Sequence, residues 1–140
     1  QKQKGFTLVE LLVVISIMVV LATIAAINYS QVFKNGRDAK RQSDLKFIQS
    51  ALEQYFADQK YYPAQIIPGA AISFGNKIYL TKTPNDPTAN PDYKYVASPE
   101  GCSNTSCTSY CLYAKTEGNP LPSDANCTPS SPYNYGITRP

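Results

Sequence analysis

Phe6-Thr7-Leu8-Val9-Glu10-Leu11-Leu12-Val13-Val14-Ile15-Ser16-Ile17-Met18-Val19-Val20-Leu21-Ala22-Thr23-Ile24-Ala25-Ala26-Ile27 is 22 residues long and carries one charge, Glu10. At about 1.5 Å per residue it makes a helix of roughly 33 Å, the thickness of a bilayer's hydrocarbon core. Three readings compete for it. A buried core helix is excluded because a chain of 140 residues has no core large enough to surround a helix that is apolar on every face. A cleaved secretory signal is matched by the basic flank Lys2 and Lys4, and Ala22 to Ala26 imitates a cleavage site. An ordinary signal core, however, is shorter and has no carboxylate. The stretch therefore reads as a membrane-spanning helix.

Composition narrows the chemistry of the remainder. The chain has no His, which removes Ser-His and Cys-His catalytic pairs, imidazole metal ligands and the usual proton shuttle near neutral pH. The expectation is a protein that is not an enzyme and needs no cofactor. Thirteen Lys and Arg against ten Asp and Glu leave a net charge of +3, and Lys2 and Lys4 supply two of those units. Past residue 5 the chain is nearly neutral, so no nucleic-acid partner is expected.

Gly5-Phe6-Thr7-Leu8-Val9-Glu10-Leu11-Leu12, preceded by Lys2 and Lys4, resembles the prepilin signature of bacterial type IV pilins and type II secretion pseudopilins. The resemblance continues through Arg37 to Phe56 and to Tyr61-Tyr62-Pro63, which is similar to the second half of a pilin's long N-terminal helix. It implies that a prepilin peptidase cuts after Gly5 and that the new amino terminus, Phe6, is N-methylated. A carboxylate inside an apolar helix is costly in lipid unless it is paired. Glu10 could simply sit near the interface, helped by the positive end of the helix dipole. The resemblance implies instead that Glu10 pairs with the free amine of Phe6 on a neighbouring subunit and sets axial register. Family members often have a helix-breaking Pro where Ile27 stands here.

From about Gln31 to Gln59 an amphipathic helix is expected to continue the first. Leu45, Ile48, Leu52, Tyr55 and Phe56 recur three and four residues apart and define one apolar stripe for packing on a sheet. Asn35-Gly36 is the one breaker signal, marking a frayed turn or kink, and Tyr61-Tyr62-Pro63 ends the helix. Lys34, Arg37, Lys40, Arg41 and Lys46 surround Asp38 and Asp44. Lys40 with Asp44, and Asp38 with Arg41, have helix-pair spacing. These charges read as a solvated face at the membrane exit or as subunit-to-subunit pairs in a filament.

Beyond Pro63 come ten of the eleven prolines and three β-prone stretches, Lys77 to Leu80, Tyr93 to Ala97 and Ser109 to Lys115. The expected fold class is α+β, a long N-terminal helix packed on a small antiparallel sheet. The tail from Gly118 to Pro140 reads as loop. The expected division is a leader remnant at 1–5, a hydrophobic assembly helix at 6–30, its amphipathic second half at 31–62 and a head at 63–140. Cys102, Cys107, Cys111 and Cys127 form no CxxC and suit zinc poorly, so on an exported head they make two disulfides. Of three connectivities, Cys102–Cys107 with Cys111–Cys127 is favoured, because it closes a small loop between strands and clamps the tail. The second pair also resembles the C-terminal disulfide loop of major pilins.

Two further patterns remain. Asp86 and Asp92, within Thr83 to Tyr95, are hard oxygen donors near where major pseudopilins hold calcium, but two carboxylates fall short of that ion's six to eight oxygens, and turn chemistry accounts for them better. Asn28-Tyr-Ser, Asn104-Thr-Ser and Asn126-Cys-Thr match the N-glycosylation pattern, with Asn28 close to the membrane.

The whole reads as a structural subunit stored in the inner membrane and assembled, after leader cleavage, by pilus machinery into a homo-oligomeric helical filament outside the cell, serving adhesion or motility. The alternatives are a pseudopilin of a type II secretion system and a singly anchored surface binding module.

Overall fold

The computed structural model describes residues 5–89, 91–118 and 121–140, apart from the side chains of residues 27 and 28. Lys2, Lys4 and the Asn28 acceptor therefore lie outside the described residues. A single helix, α1, runs Leu8–Gln59, followed by β1 (Ile72–Phe74), β2 (Lys77–Leu80), β3 (Lys94–Ser98), β4 (Ser109–Ala114) and β5 (Tyr135–Thr138). The chain divides into two units, one up to Lys34 and one from Asn35 to Pro140.

In the first unit the described residues from Leu8 onward are all helix. Leu8–Ala26 has a mean hydropathy of 2.8 and buries no residue within the protein, so it is long and apolar enough to cross a membrane. Its hydroxyls are satisfied within the helix, Ser16 Oγ donating to the Leu12 carbonyl at 2.8 Å and Thr23 Oγ1 to that of Val20 at 2.7 Å. A segment bound for lipid must meet its polar groups internally in this way.

The second unit owns a core. Leu45, Ile48, Leu52 and Tyr55 of α1 are buried together with Tyr62, Ile72, Tyr93, Tyr110, Leu112, Ala114, Tyr135 and Ile137 in one cluster. Phe56, the remaining residue of the expected stripe, is partly buried and stacks on Tyr62 with ring centroids 4.7 Å apart. α1 stays helical through Asn35 and Gly36. It stops where Lys60 takes a left-handed φ of 66° and donates its N–H to the Phe56 carbonyl at 2.8 Å, a terminator that satisfies an orphan carbonyl.

The sheet differs from expectation in two places. Lys77–Leu80 pairs with Ile72–Phe74 in a separate hairpin, while the main antiparallel sheet has the order β3-β4-β5. β5 lies in the tail that the sequence marked as loop, and all four of its residues are buried. It pairs Cys111 with Thr138, Leu112 with Ile137, Tyr113 with Gly136 and Ala114 with Tyr135. Four residues among Pro, Ser and Asn carry little local signal, so this strand exists because β4 offers an edge. Gly136 fits that edge because it has no side chain: a Cβ there would stand 2.9 Å from the Tyr113 ring. β5's outer edge is covered in turn, Asp124 N–H donating to the Gly136 carbonyl at 2.9 Å and Thr138 N–H to Asp124 Oδ2 at 2.7 Å.

Of the three possible connectivities the structure holds Cys102–Cys107 and Cys111–Cys127, with sequence separations of 5 and 16.

Candidate functional site

The helix entrance gathers the residues that the motif singled out. Phe6 is 93% exposed, and Thr7 is the last residue before α1. Thr7 donates to Glu10 Oε2 from both its N–H and its hydroxyl, each at 2.8 Å, and Glu10 N–H donates back to Thr7 Oγ1 at 3.2 Å. This is a reciprocal capping box, which satisfies two of the orphan N–H groups at a helix start. The sequence carried the signal in Thr7-x-x-Glu10, but the motif-level reading of Glu10 passed over it. The box meets part of the carboxylate's hydrogen-bonding demand from within the chain but brings it no counter-charge. It occupies only Oε2; among the described residues Oε1 has no partner and remains open to a cation from elsewhere.

A second cluster sits on α1 within the head unit. Arg41 is 1% exposed, and a buried guanidinium must find all its partners inside. Its Nε and Nη2 take the two oxygens of Asp86 at 2.5 and 3.0 Å. Nη1 reaches Asp38 at 2.7 Å, and Nη2 also reaches Glu117 at 2.7 Å and Thr88 Oγ1 at 3.0 Å. Arg37 forks onto Glu117, Nε to Oε1 at 2.9 Å and Nη2 to Oε2. Asp38 accepts the N–H groups of Glu117 and Gly118. The helix is thereby tied to the loop before β3 and to the segment after β4. The Asp38–Arg41 pair read from helical spacing is thus one edge of a larger network, as Lys40–Asp44 at 3.8 Å is a looser one beside it. Asp44 also accepts the Tyr93 hydroxyl at 2.9 Å.

These contacts set the charge states. Hydrogen bonds from Arg37, and then Arg41, hold the Glu117 carboxyl down to about 2, against the opposing effect of desolvation. Burial works against ionisation of Asp86, but the Arg41 and Thr88 bonds outweigh it and its pKa is lowered. Arg41 is pushed further up, first by Asp86.

The weak calcium candidates fall in this region. Asp86 has the Arg41 guanidinium where a cation would stand, and Asp92 Oδ1 accepts the N–H groups of Asp86 and Tyr93, both at 2.9 Å. The two carboxylates shape the loop, as turn chemistry requires, and among the described residues no group of three His, Cys, Asp or Glu is placed to hold a metal ion.

Residues 1–26 match the family model described as the prokaryotic N-terminal methylation motif. The chain is 33% identical over 106 residues to type II secretion system core protein G of Escherichia coli K12, covering 68% of this chain and 72% of that protein. It is 33% identical over 111 residues to the core protein G of Klebsiella michiganensis and to that of Pseudomonas aeruginosa, covering 69% of this chain and 75% of each relative. No solved structure matches. The 106 aligned residues far outrun the methylation motif, so the likeness takes in the head as well as the helix. With the motif at its head, an apolar helix entered through Thr7 and Glu10, and an α+β unit stapled by two disulfides, the chain belongs to the family of type IV pilins and type II secretion pseudopilins.

Proposed function

We propose that this chain is the repeating subunit of a filament of the pseudopilin type, anchored in the inner membrane before assembly and working in a type II secretion-like system. The observation that carries the reading is the 33% identity to core protein G across more than two thirds of the chain. It favours the second of the two family readings drawn from the sequence, where the motif fits both and the Cys111–Cys127 pair put the surface pilus first. In the proposed mechanism a prepilin peptidase cuts after Gly5 and exposes the amine of Phe6. Glu10, whose Oε1 is open, meets that amine on a neighbouring copy and fixes the axial register. The exposed apolar side chains of Leu8–Ala26 exchange lipid for packing against like helices, and the heads remain outside the membrane.

One observation favours the pilus instead: the Cys111–Cys127 clamp, which resembles the C-terminal loop of major pilins. Deleting the gene and assaying both phenotypes separates the two. The pseudopilin reading expects exported proteins to accumulate inside the envelope, with no long surface filaments lost. Smooth, long surface filaments built from this chain, together with unimpaired secretion, would overturn it in favour of a pilus serving adhesion or motility.

A further inference from the structure

The structure separates the two glycosylation patterns that lie among the described residues. In Asn126-Cys127-Thr128 the middle residue is fully buried and disulfide-bonded, so a folded head cannot lend that tripeptide to an enzyme. Asn104, Thr105 and Ser106 are all exposed and form a turn inside the loop closed by Cys102–Cys107. Asn104 Oδ1 accepts the Ala64 N–H at 2.8 Å, while Nδ2 has no partner among the described residues. Its carbonyl is therefore held and its nitrogen is presented outward.

Beside Asn104 is a cavity of about 300 Å³ whose lining includes Tyr55, Pro63, Ile66, Ile67 and Phe74. Ile67 is 64% exposed and Phe74 47%. The rim is mixed, with Ile67 and Phe74 exposed beside Gln65, Ser73 and Asn104, so an occupant should present both an apolar and a polar face. Sugars suit it, because a pyranose ring offers an apolar face of C–H groups to aromatic and aliphatic side chains while its hydroxyls stay in water.

We propose that Asn104 is an N-glycosylation site and that the first sugars of its glycan lie across the cavity formed by Tyr55, Ile66, Ile67 and Phe74. The donor class is a polyprenyl-diphosphate-linked oligosaccharide. Asn104 Nδ2 attacks the anomeric carbon and forms the C–N bond, the bond from that carbon to the diphosphate oxygen breaks, the amide proton passes to the transferase's base, and polyprenyl diphosphate leaves. Ser106 supplies the hydroxyl that the pattern requires two residues on, and Oδ1 keeps its bond to Ala64 after the reaction. The inference goes beyond the filament reading and needs only that the head be exported.

The test is peptide mapping by mass spectrometry of the full chain purified from its native envelope. A mass increment in whole sugar residues is expected on the peptide containing Asn104. It should vanish in Asn104→Gln and in Ser106→Ala, and persist in Ser106→Thr and in Asn126→Gln. Retention in Ser106→Thr guards against loss through misfolding, since that variant restores the hydroxyl. Glycosylated protein should also bind less of an apolar fluorescent dye than Ser106→Ala does. An unmodified Asn104 peptide from native material overturns the proposal. So does an increment that survives Asn104→Gln, which would mean attachment to Ser103, Thr105 or Ser106, and so does equal dye binding for the placement over the cavity. The outcome is independent of whether filaments form or secretion proceeds, so its failure is distinguishable from failure of the pseudopilin reading.

Discussion

The two units of this chain solve the burial problem in opposite ways. Up to Lys34 every described apolar side chain is exposed, and that unit has nothing of its own to pack against. The unit from Asn35 onward encloses its aromatic and aliphatic residues, pairs its one fully buried cation and closes two disulfides. In the proposed filament, stability of the first is intermolecular, supplied by lipid or by other helices. Stability of the second is intramolecular. Substitutions in the two units should therefore be read by different assays.

The sharpest test of that contrast is Glu10→Ala. It removes the carboxylate proposed to meet a neighbouring amine, so assembled material, followed by cross-linking and electron microscopy, should fall to background. The head should keep its unfolding midpoint in denaturant. Wild-type assembly from this variant would break the comparison, since it would leave the capping box as the residue's whole role. Thr7→Val, which removes the hydroxyl of the box but keeps Glu10, should preserve more assembly than Glu10→Ala.

Arg41→Leu should have the largest effect on the head. Removing one member of a buried ionic cluster costs about 3–5 kcal/mol, because Asp38 and Asp86 stay buried without their cation. Chemical denaturation of the detergent-solubilised chain measures it, and the membrane helix should be unaffected. Asp38→Asn and Asp86→Asn in the Arg41→Leu background should recover part of the loss.

Replacing Cys111 and Cys127 with Ser should cost about 3 kcal/mol in the chain-entropy picture, and replacing Cys102 and Cys107 about 2, since a shorter loop restrains less. β5 sharpens the expectation for protease mapping. In the Cys111/Cys127 variant, cuts should concentrate between Ala114 and Tyr135, while Tyr135–Thr138 stays protected by its pairing with β4. Cutting inside β5 would show that the clamp, and not the ladder, holds the tail.

The smallest effect is with pH. The Glu117 carboxyl titrates at about 2 in the folded chain against an ordinary value of 4.5, so the unfolded chain binds the proton more readily. Its contribution is full above about pH 4.5 and is lost as the pH falls toward 2. Denaturation midpoints should decline over that window, and Glu117→Gln should flatten the decline. An equally steep fall in that variant would move the acid sensitivity to another group.

Much of this was legible from residues alone. The Phe6 to Ile27 stretch announces its helix because nothing in it can be left facing water, and a strict apolar run needs no partner to be recognised. The stripe of Leu45, Ile48, Leu52 and Tyr55 was readable for the same kind of reason: helical periodicity is a local property written every three or four residues. β3 and β4 were found within a residue or two by their Tyr and Val content.

What the sequence by itself determined, then, was whatever depends on near neighbours along the chain: the apolar helix, its buried stripe and an end to it ahead of Tyr61-Tyr62-Pro63, although the terminator itself, Lys60 in a left-handed conformation, gave no signal. Tertiary structure alone decided the rest. Nothing local distinguishes Arg41 from Arg37 or Lys40, and it is buried only because Asp86, 45 residues on, and Glu117, 76 residues on, come to meet it. Tyr135–Thr138 is a strand because β4 has an unpaired edge, and Asn104 has its carbonyl held because Ala64, 40 residues back, comes to meet it. Each of these is a pairing across long sequence separation, where the energy lies in burial and in satisfied charge, and neither quantity exists until the chain has closed on itself.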